Sequence, residues 1–173
     1  MTAQLILLRH GKSDWDTPSD SDFDRPVSTR GITEISLIAD KLASLIPNET
    51  CIICSPAVRT RDSLALARPF WPKCKTVFDE RVYEAGISQL IASLQDHGEH
   101  SSVVIIGHNP GLVMLLHLLL QDESWTSQTA HFPTSTAAVL SSTVVHCGLM
   151  NAQCAHLVAL LKPKDLIAGI LPS

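Results

Sequence analysis

The sequence carries no excess of positive charge. Acidic side chains outnumber basic ones, 17 to 13, for a formal net charge of -4, and only 17% of residues are charged. With no net positive field, nothing recruits a nucleic-acid backbone non-specifically, although a local basic pocket for one phosphate stays compatible. Long apolar runs are missing as well. The longest, residues 112–120, contains His117 and is too short to span a bilayer, so no membrane partner is expected. Residues 1–8 lack a basic segment and offer only Leu5, Ile6, Leu7 and Leu8 as consecutive apolar residues before Arg9, which argues against a secretory signal and for a cytoplasmic protein. Five cysteines, an odd number, build no disulfide framework and suit reduced thiols. There is no internal repeat, no low-complexity tract and no linker that would divide the chain. We expect a single domain over 1–173, and a monomer.

What is present is apolar content, 45% of residues, enough for a sizeable core. Residues 4–8 read as a short buried strand that stops abruptly at Arg9-His10-Gly11. A polar, Asp-rich loop follows over 12–26, too hydrophilic for the core. Ser28 or Thr29 then caps a helix whose apolar residues, Ile35, Ile38, Ala39, Leu42, Leu45 and Ile46, share one face. Residues 51–54 form a second strand, and Ser55-Pro56 opens the helix that carries Arg59, proline suiting a first helical turn. Residues 76–78 suggest an edge strand and 87–94 a helix. Residues 103–106 are a wholly apolar strand that turns through Gly107-His108-Asn109-Pro110-Gly111 into the helix 112–120. Residues 137–141 and 156–161 look like two further strands. Strands alternating with helices imply an α/β fold, a three-layer α/β/α sandwich with a mostly parallel central sheet.

Two apolar strands end at a histidine beside glycine, His10 and His108. In open α/β sheets, ligands bind in the crevice beyond the carboxyl ends of the strands, so both rings should enter one crevice if their strands are neighbours. Arg59, one turn into its helix, reaches the same rim, and Arg9 precedes His10 directly. Taken singly each residue is ordinary: a histidine at a strand end is more often structural, and an arginine on a helix is usually a solvated charge. Together they offer two imidazoles and two guanidiniums. Guanidinium is a planar fork of donors matched to phosphate oxygens, able to hold the charge spread over a transferring phosphoryl group. Imidazole is a capable nucleophile at neutral pH.

These residues carry a resemblance. Leu8-Arg9-His10-Gly11 resembles the Arg-His-Gly signature of the histidine phosphatase superfamily, which includes phosphoglycerate mutases and phosphohistidine phosphatases. Residues 24–31, Asp-Arg-Pro-Val-Ser-Thr-Arg-Gly, are similar to its Arg-Pro-Leu-Thr-x-x-Gly helix start. Ser55-Pro56-Ala57-Val58-Arg59 resembles its Ser-Pro-x-x-Arg segment, with Asp62 and Ser63 departing from the usual Gln-Thr. Ile106-Gly107-His108-Asn109-Pro110 resembles the second histidine motif, residues 132–137 the late Pro-Thr element, and Lys162-Pro163 with Leu166 the ending of the small SixA-type members. The motifs occur in the family's order along nearly the whole chain. The resemblance implies a phosphoglycerate mutase-like fold, His10 as a transiently phosphorylated nucleophile, and Arg9, Arg59 and His108 as the phosphate pocket with Asn109 orienting its neighbour. It implies no cofactor and no metal.

Larger relatives place a glutamate after the third strand to protonate an alkoxide leaving group. Glu80 aligns best with that element by its distance from Phe78, while Glu84 sits in a Tyr-Glu-Ala element common in short members. An imidazole leaving group needs such an acid far less than an alkoxide does, and the chain has no room for the long lid of the mutases. Both points favour phosphohistidine on a protein as substrate over a small phosphoester. Two other readings are a catalytically silent phosphate-binding module and a metal-dependent hydrolase using His10 and His108; the latter lacks carboxylate ligands beside them. Cys51 and Cys54 have metal-like spacing, but side chains three apart on a strand point to opposite faces. His97 and His100, flanking Gly98, read as solvated loop residues.

Overall fold

A computed structural model describes residues 2–169. Strands β1 (Ala3–Arg9), β2 (Cys51–Cys54), β3 (Lys75–Phe78), β4 (Ser102–Gly107), β5 (Ala137–Ser142) and β6 (Ala155–Leu161) form one sheet in the order β3-β2-β4-β1-β5-β6. The first four strands in that order are mutually parallel, whereas β5 runs antiparallel to β1 and β6 antiparallel to β5. β3 is the edge strand that its short, half-polar run suggests.

The period-two alternation of the strands divides the core into two apolar layers. On one face Leu5, Leu7, Ile53, Val103 and Ile105 pack against Leu90 and Leu94 of α3 (Ile87–His97) and Leu112, Leu115, Leu116 and Leu119 of α4 (Gly111–Leu119). On the other face Ile6, Leu8, Ile52, Val104 and Ile106 meet Ile35, Ile38 and Leu42 of α1 (Thr29–Leu42) and Leu64 and Ala67 of α2 (Val58–Ala67). The result is helix, sheet, helix. Cys51 falls in the first layer and Cys54 in the second, so the two thiols are buried on opposite sides of the sheet. Two short helices, α5 (Thr126–Ala130) and α6 (Pro163–Ile167), complete the α-helices among the described residues. No helix among the described residues is long and apolar enough to cross a membrane.

Three details differ from the sequence reading. Pro56 is not in the first turn of α2, which begins at Val58 with Ala57 at its cap. Ser55 instead carries the hydrogen-bond ladder one step past β2, its amide donating to the Ile106 carbonyl at 3.0 Å. α3 runs on to His97, which is therefore helical rather than a loop residue, and its Nε2 lies 3.4 Å from the Asp79 carboxylate. Finally, the polar 12–26 loop is not all solvent-facing: Ser13 is buried and bridges Val27, and the 3-10 turn Asp22–Asp24 packs back toward α2.

Candidate active site

Register explains why the two histidines meet. Arg9 pairs with Gly107 across β1 and β4, so the next residues along, His10 and His108, leave the sheet side by side. Their ring centroids lie 5.0 Å apart at an interplanar angle of 51°. The His10 amide donates to the Gly107 carbonyl at 3.2 Å, continuing the ladder one step past the strands. Glycine at 11 is needed because the chain turns against α1 there: a Cβ would sit 2.9 Å from Cγ1 of Ile35. The freed Gly11 amide donates to the Ser63 hydroxyl at 2.9 Å.

Each ring is held in one orientation. His10 Nδ1 lies 2.7 Å from the Gly11 carbonyl oxygen, an acceptor only, so Nδ1 carries the proton and Nε2 keeps its lone pair. His108 Nε2 lies 2.8 Å from the Ser55 hydroxyl. That hydroxyl also accepts from the Ala57 amide at 3.5 Å, and its own proton has no acceptor other than Nε2 among the described residues, which assigns Nε2 as the acceptor. The His108 proton then sits on Nδ1, a buried atom with no partner among the described residues. Tyr83, the only tyrosine in the chain, stands edge-on to the His108 ring, centroids 5.4 Å apart.

Around the rings lies an open cavity of about 300 Å³. Arg9, His10, Arg59, His108 and Asn109 all line it, together with Trp15, Asp22, Arg25, Glu84 and Thr134. Arg9 Nη1 and Asn109 Nδ2 both donate to the Phe132 carbonyl, each at 2.8 Å, which ties the two side chains to the loop before β5. That loop closes on the site, because the Ser135 amide donates to the His10 carbonyl at 2.9 Å. Arg59, nearly buried in the first turn of α2, donates from Nη1 to the Asp22 carbonyl at 2.6 Å and from Nη2 to the Asp22 carboxylate at 2.9 Å.

Burial dominates the electrostatics. It pushes His10 down to about 4, with the positive charges of Arg59, Arg9 and Arg25 adding to it against the opposing Gly11 hydrogen bond. His108 is pushed to about 3 by burial, then by the neighbouring His10 and by Arg59. Both imidazoles are therefore neutral at physiological pH. Burial also lowers Arg9, helped by Arg59. For Asp22 burial acts upward, but the hydrogen bond from Arg25 and the charge of Arg59 outweigh it and hold the carboxyl below the usual range.

The sequence model of the histidine phosphatase superfamily (branch 1) matches residues 5–90. The fold is similar, at TM-score 0.81 and 25% identity, to a structure from Nakamurella multipartitia assigned as the phosphohistidine phosphatase SixA, covering 94% of this chain and 97% of that one. A second structure so assigned, from Agrobacterium tumefaciens, matches at TM-score 0.78 and 27% identity over 93% and 98% of the two chains. The chain belongs to the histidine phosphatase superfamily. An uncharacterized protein of Mycobacterium tuberculosis is 29% identical over 91% of this chain and all of its own length.

For this histidine phosphatase the sequence pointed to Arg9, His10, Arg59, His108 and Asn109, and the fold brings all five to one cavity. It does not bring Glu80 there. Glu80 opens the 3-10 turn Glu80–Val82 and is exposed, whereas Val82 of the same turn is buried; Glu84, at a φ of 48°, lies on the cavity wall instead. Asp22, Arg25, Trp15, Ser55 and Tyr83 went unrecognised as members of the site. The Arg25-Pro26 pair was the one available signal, and it read as a helix start.

Proposed function

We propose that this histidine phosphatase removes the phosphoryl group from phosphohistidine on a protein, by way of a phosphorylated His10. The observation that carries the reading is the His10 Nδ1 contact to the Gly11 carbonyl, which leaves the Nε2 lone pair of a neutral ring among Arg9, Arg59 and His108. Nε2 attacks phosphorus in line with the substrate's imidazole nitrogen; the new P–N bond forms as the old one breaks, and the departing imidazole takes a proton from solvent. Water then attacks the phosphorylated ring, releasing inorganic phosphate and neutral His10. Throughout, Arg9 and Arg59 hold the equatorial oxygens, and the unpaired Nδ1–H of His108 donates to one of them. Asn109 fixes Arg9 through their shared carbonyl acceptor on Phe132.

The preference for phosphohistidine follows from the carboxylates on the cavity wall. Asp22 is committed to Arg25 and Arg59 and held ionised, so it has no proton to give at neutral pH. Glu84 is exposed to solvent rather than enclosed with the reacting groups. A weakly basic imidazole tolerates this arrangement where an alkoxide does not. The SixA-assigned neighbours support the same substrate class. In steady-state assays, kcat/KM on a phosphohistidine-bearing protein is expected to exceed that on sugar or glycerate phosphates by orders of magnitude. Comparable values would reject the substrate and leave a small-ester phosphatase, with Glu84 as its acid. His10→Ala is expected to abolish an acid-labile phosphoenzyme; a variant that still forms one moves the nucleophile elsewhere.

A further inference from the structure

A third guanidinium shares the cavity and has no task in the scheme above. The Arg25 side chain is only 12% exposed. Its Nη2 donates to the Asp22 carboxylate, and its plane lies over the Trp15 indole, 3.5 Å from the ring centroid. Its other two nitrogens, Nε and Nη1, are buried with no hydrogen-bond partner among the described residues. Buried donors on a charged group rarely stay unpaired, because losing water without gaining an acceptor is costly. A guanidinium serving only to hold the loop would turn those nitrogens to a carbonyl or to solvent. Arg9 Nε and Arg59 Nε are in the same condition, and both of those side chains line the same cavity.

We propose that Arg25 is a third phosphate ligand, presenting Nε and Nη1 to the phosphoryl oxygens opposite Arg9 and Arg59; this rests on the phosphatase reading. The charge count agrees. Three guanidiniums against the Asp22 carboxylate leave two positive charges facing two neutral imidazoles, the complement of a phosphoryl dianion, while exposed Lys12 and Glu84 at the rim offset each other. The backbone that follows Arg25 is pinned. Pro26 restricts Arg25 to its extended conformation, the Pro26 carbonyl accepts from the Asp14 amide at 2.9 Å, and the Val27 amide donates to Asp62 at 3.1 Å. Trp15, 70% exposed, gains little from burial; its contact with Arg25 instead sets the plane in which the guanidinium fork opens.

The test is calorimetric titration of the full chain with inorganic phosphate, alongside turnover of a chromogenic phosphate ester, for wild type, Arg25→Gln, Arg25→Lys and Trp15→Leu. Arg25→Gln is expected to weaken phosphate binding about 10- to 100-fold, the loss of one charge-assisted fork, with a parallel fall in kcat/KM. Arg25→Lys keeps the charge without the fork and recovers only part; Trp15→Leu loses a few-fold. In the wild type, the Arg25 Nε–H resonance should shift on adding phosphate, a response that a purely structural arginine would not give. Wild-type phosphate affinity in folded Arg25→Gln overturns the assignment. Should that variant fail to fold, wild-type affinity in Arg25→Lys overturns it equally. A wild-type chain that neither binds phosphate nor turns over the ester sinks the phosphatase reading itself, which is a distinguishable failure.

Discussion

The depressed basicity of His10 has a measurable consequence. An ordinary imidazole, with a pKa of roughly 6.5, is only about 10% neutral at a pH of about 5.5. At a pKa of about 4 the same ring is nearly all neutral at that pH, a gain of about tenfold in the neutral form. If His10 is the nucleophile as proposed, its acid limb of kcat/KM should therefore lie near 4. The two rings are 5.0 Å apart and share one field, so the first proton enters near 4 and the second only in stronger acid. The direct assay is an NMR titration of the His10 Cε1–H signal, identified by its loss in His10→Ala. Arg59→Gln removes the opposing charge that acts most strongly on His10 and should move the midpoint upward. A wild-type midpoint between 6 and 7, or no movement in Arg59→Gln, would refute the idea that burial and surrounding guanidiniums keep His10 unprotonated.

Because both histidines are harder to protonate when folded, the unfolded chain binds protons first; stability is full above roughly pH 6.5 and falls toward about 4, by about 1.4 kcal/mol per pH unit for each ring, so His10→Gln should flatten the acid slope of denaturant midpoints. Ser55→Ala takes the donor from buried His108 Nε2 and frees the ring to change tautomer; kcat should drop about 10-fold with little change in KM, and the His108 ring ¹⁵N shifts should show mixed tautomers. Gly31→Ala drives a Cβ to 2.5 Å from the Lys12 carbonyl oxygen and 2.8 Å from its amide nitrogen, so a loss of about 1–3 kcal/mol is expected in thermal or denaturant unfolding.

The sequence exposed the two histidines of the cavity because they sit where apolar runs stop. His10 and His108 each follow a largely buried strand and stand beside a glycine, and strand ends are positions that chain order alone locates. The direction of β5 and β6 was not legible: an apolar run such as Ala137–Ser142 announces burial but says nothing of its orientation beside β1. Glu80 illustrates a different limit. Counting from Phe78 locates it along the chain, yet the 3-10 turn Glu80–Val82 decides which carboxylate faces inward, and that turn is set by Asp79 accepting from the Arg81 amide and guanidinium and from Ser93. Asp22 and Arg25 were hidden because a polar loop looks like a solvated one until its partner, Arg59, is known to lie beneath it.

β1 is hydrogen-bonded along its length to β4 on one side and β5 on the other. It is thus the strand whose amides should exchange slowest, opening only with global unfolding. Trp15, Asp22, Arg25, Tyr83 and Glu84, by contrast, sit on segments outside the sheet, whose opening does not require β1 to part from its neighbours. Drift or engineered exchange in the 12–26 and 79–86 segments can therefore reshape the cavity wall while His10 stays anchored to the end of β1, the last part of the protein expected to come apart.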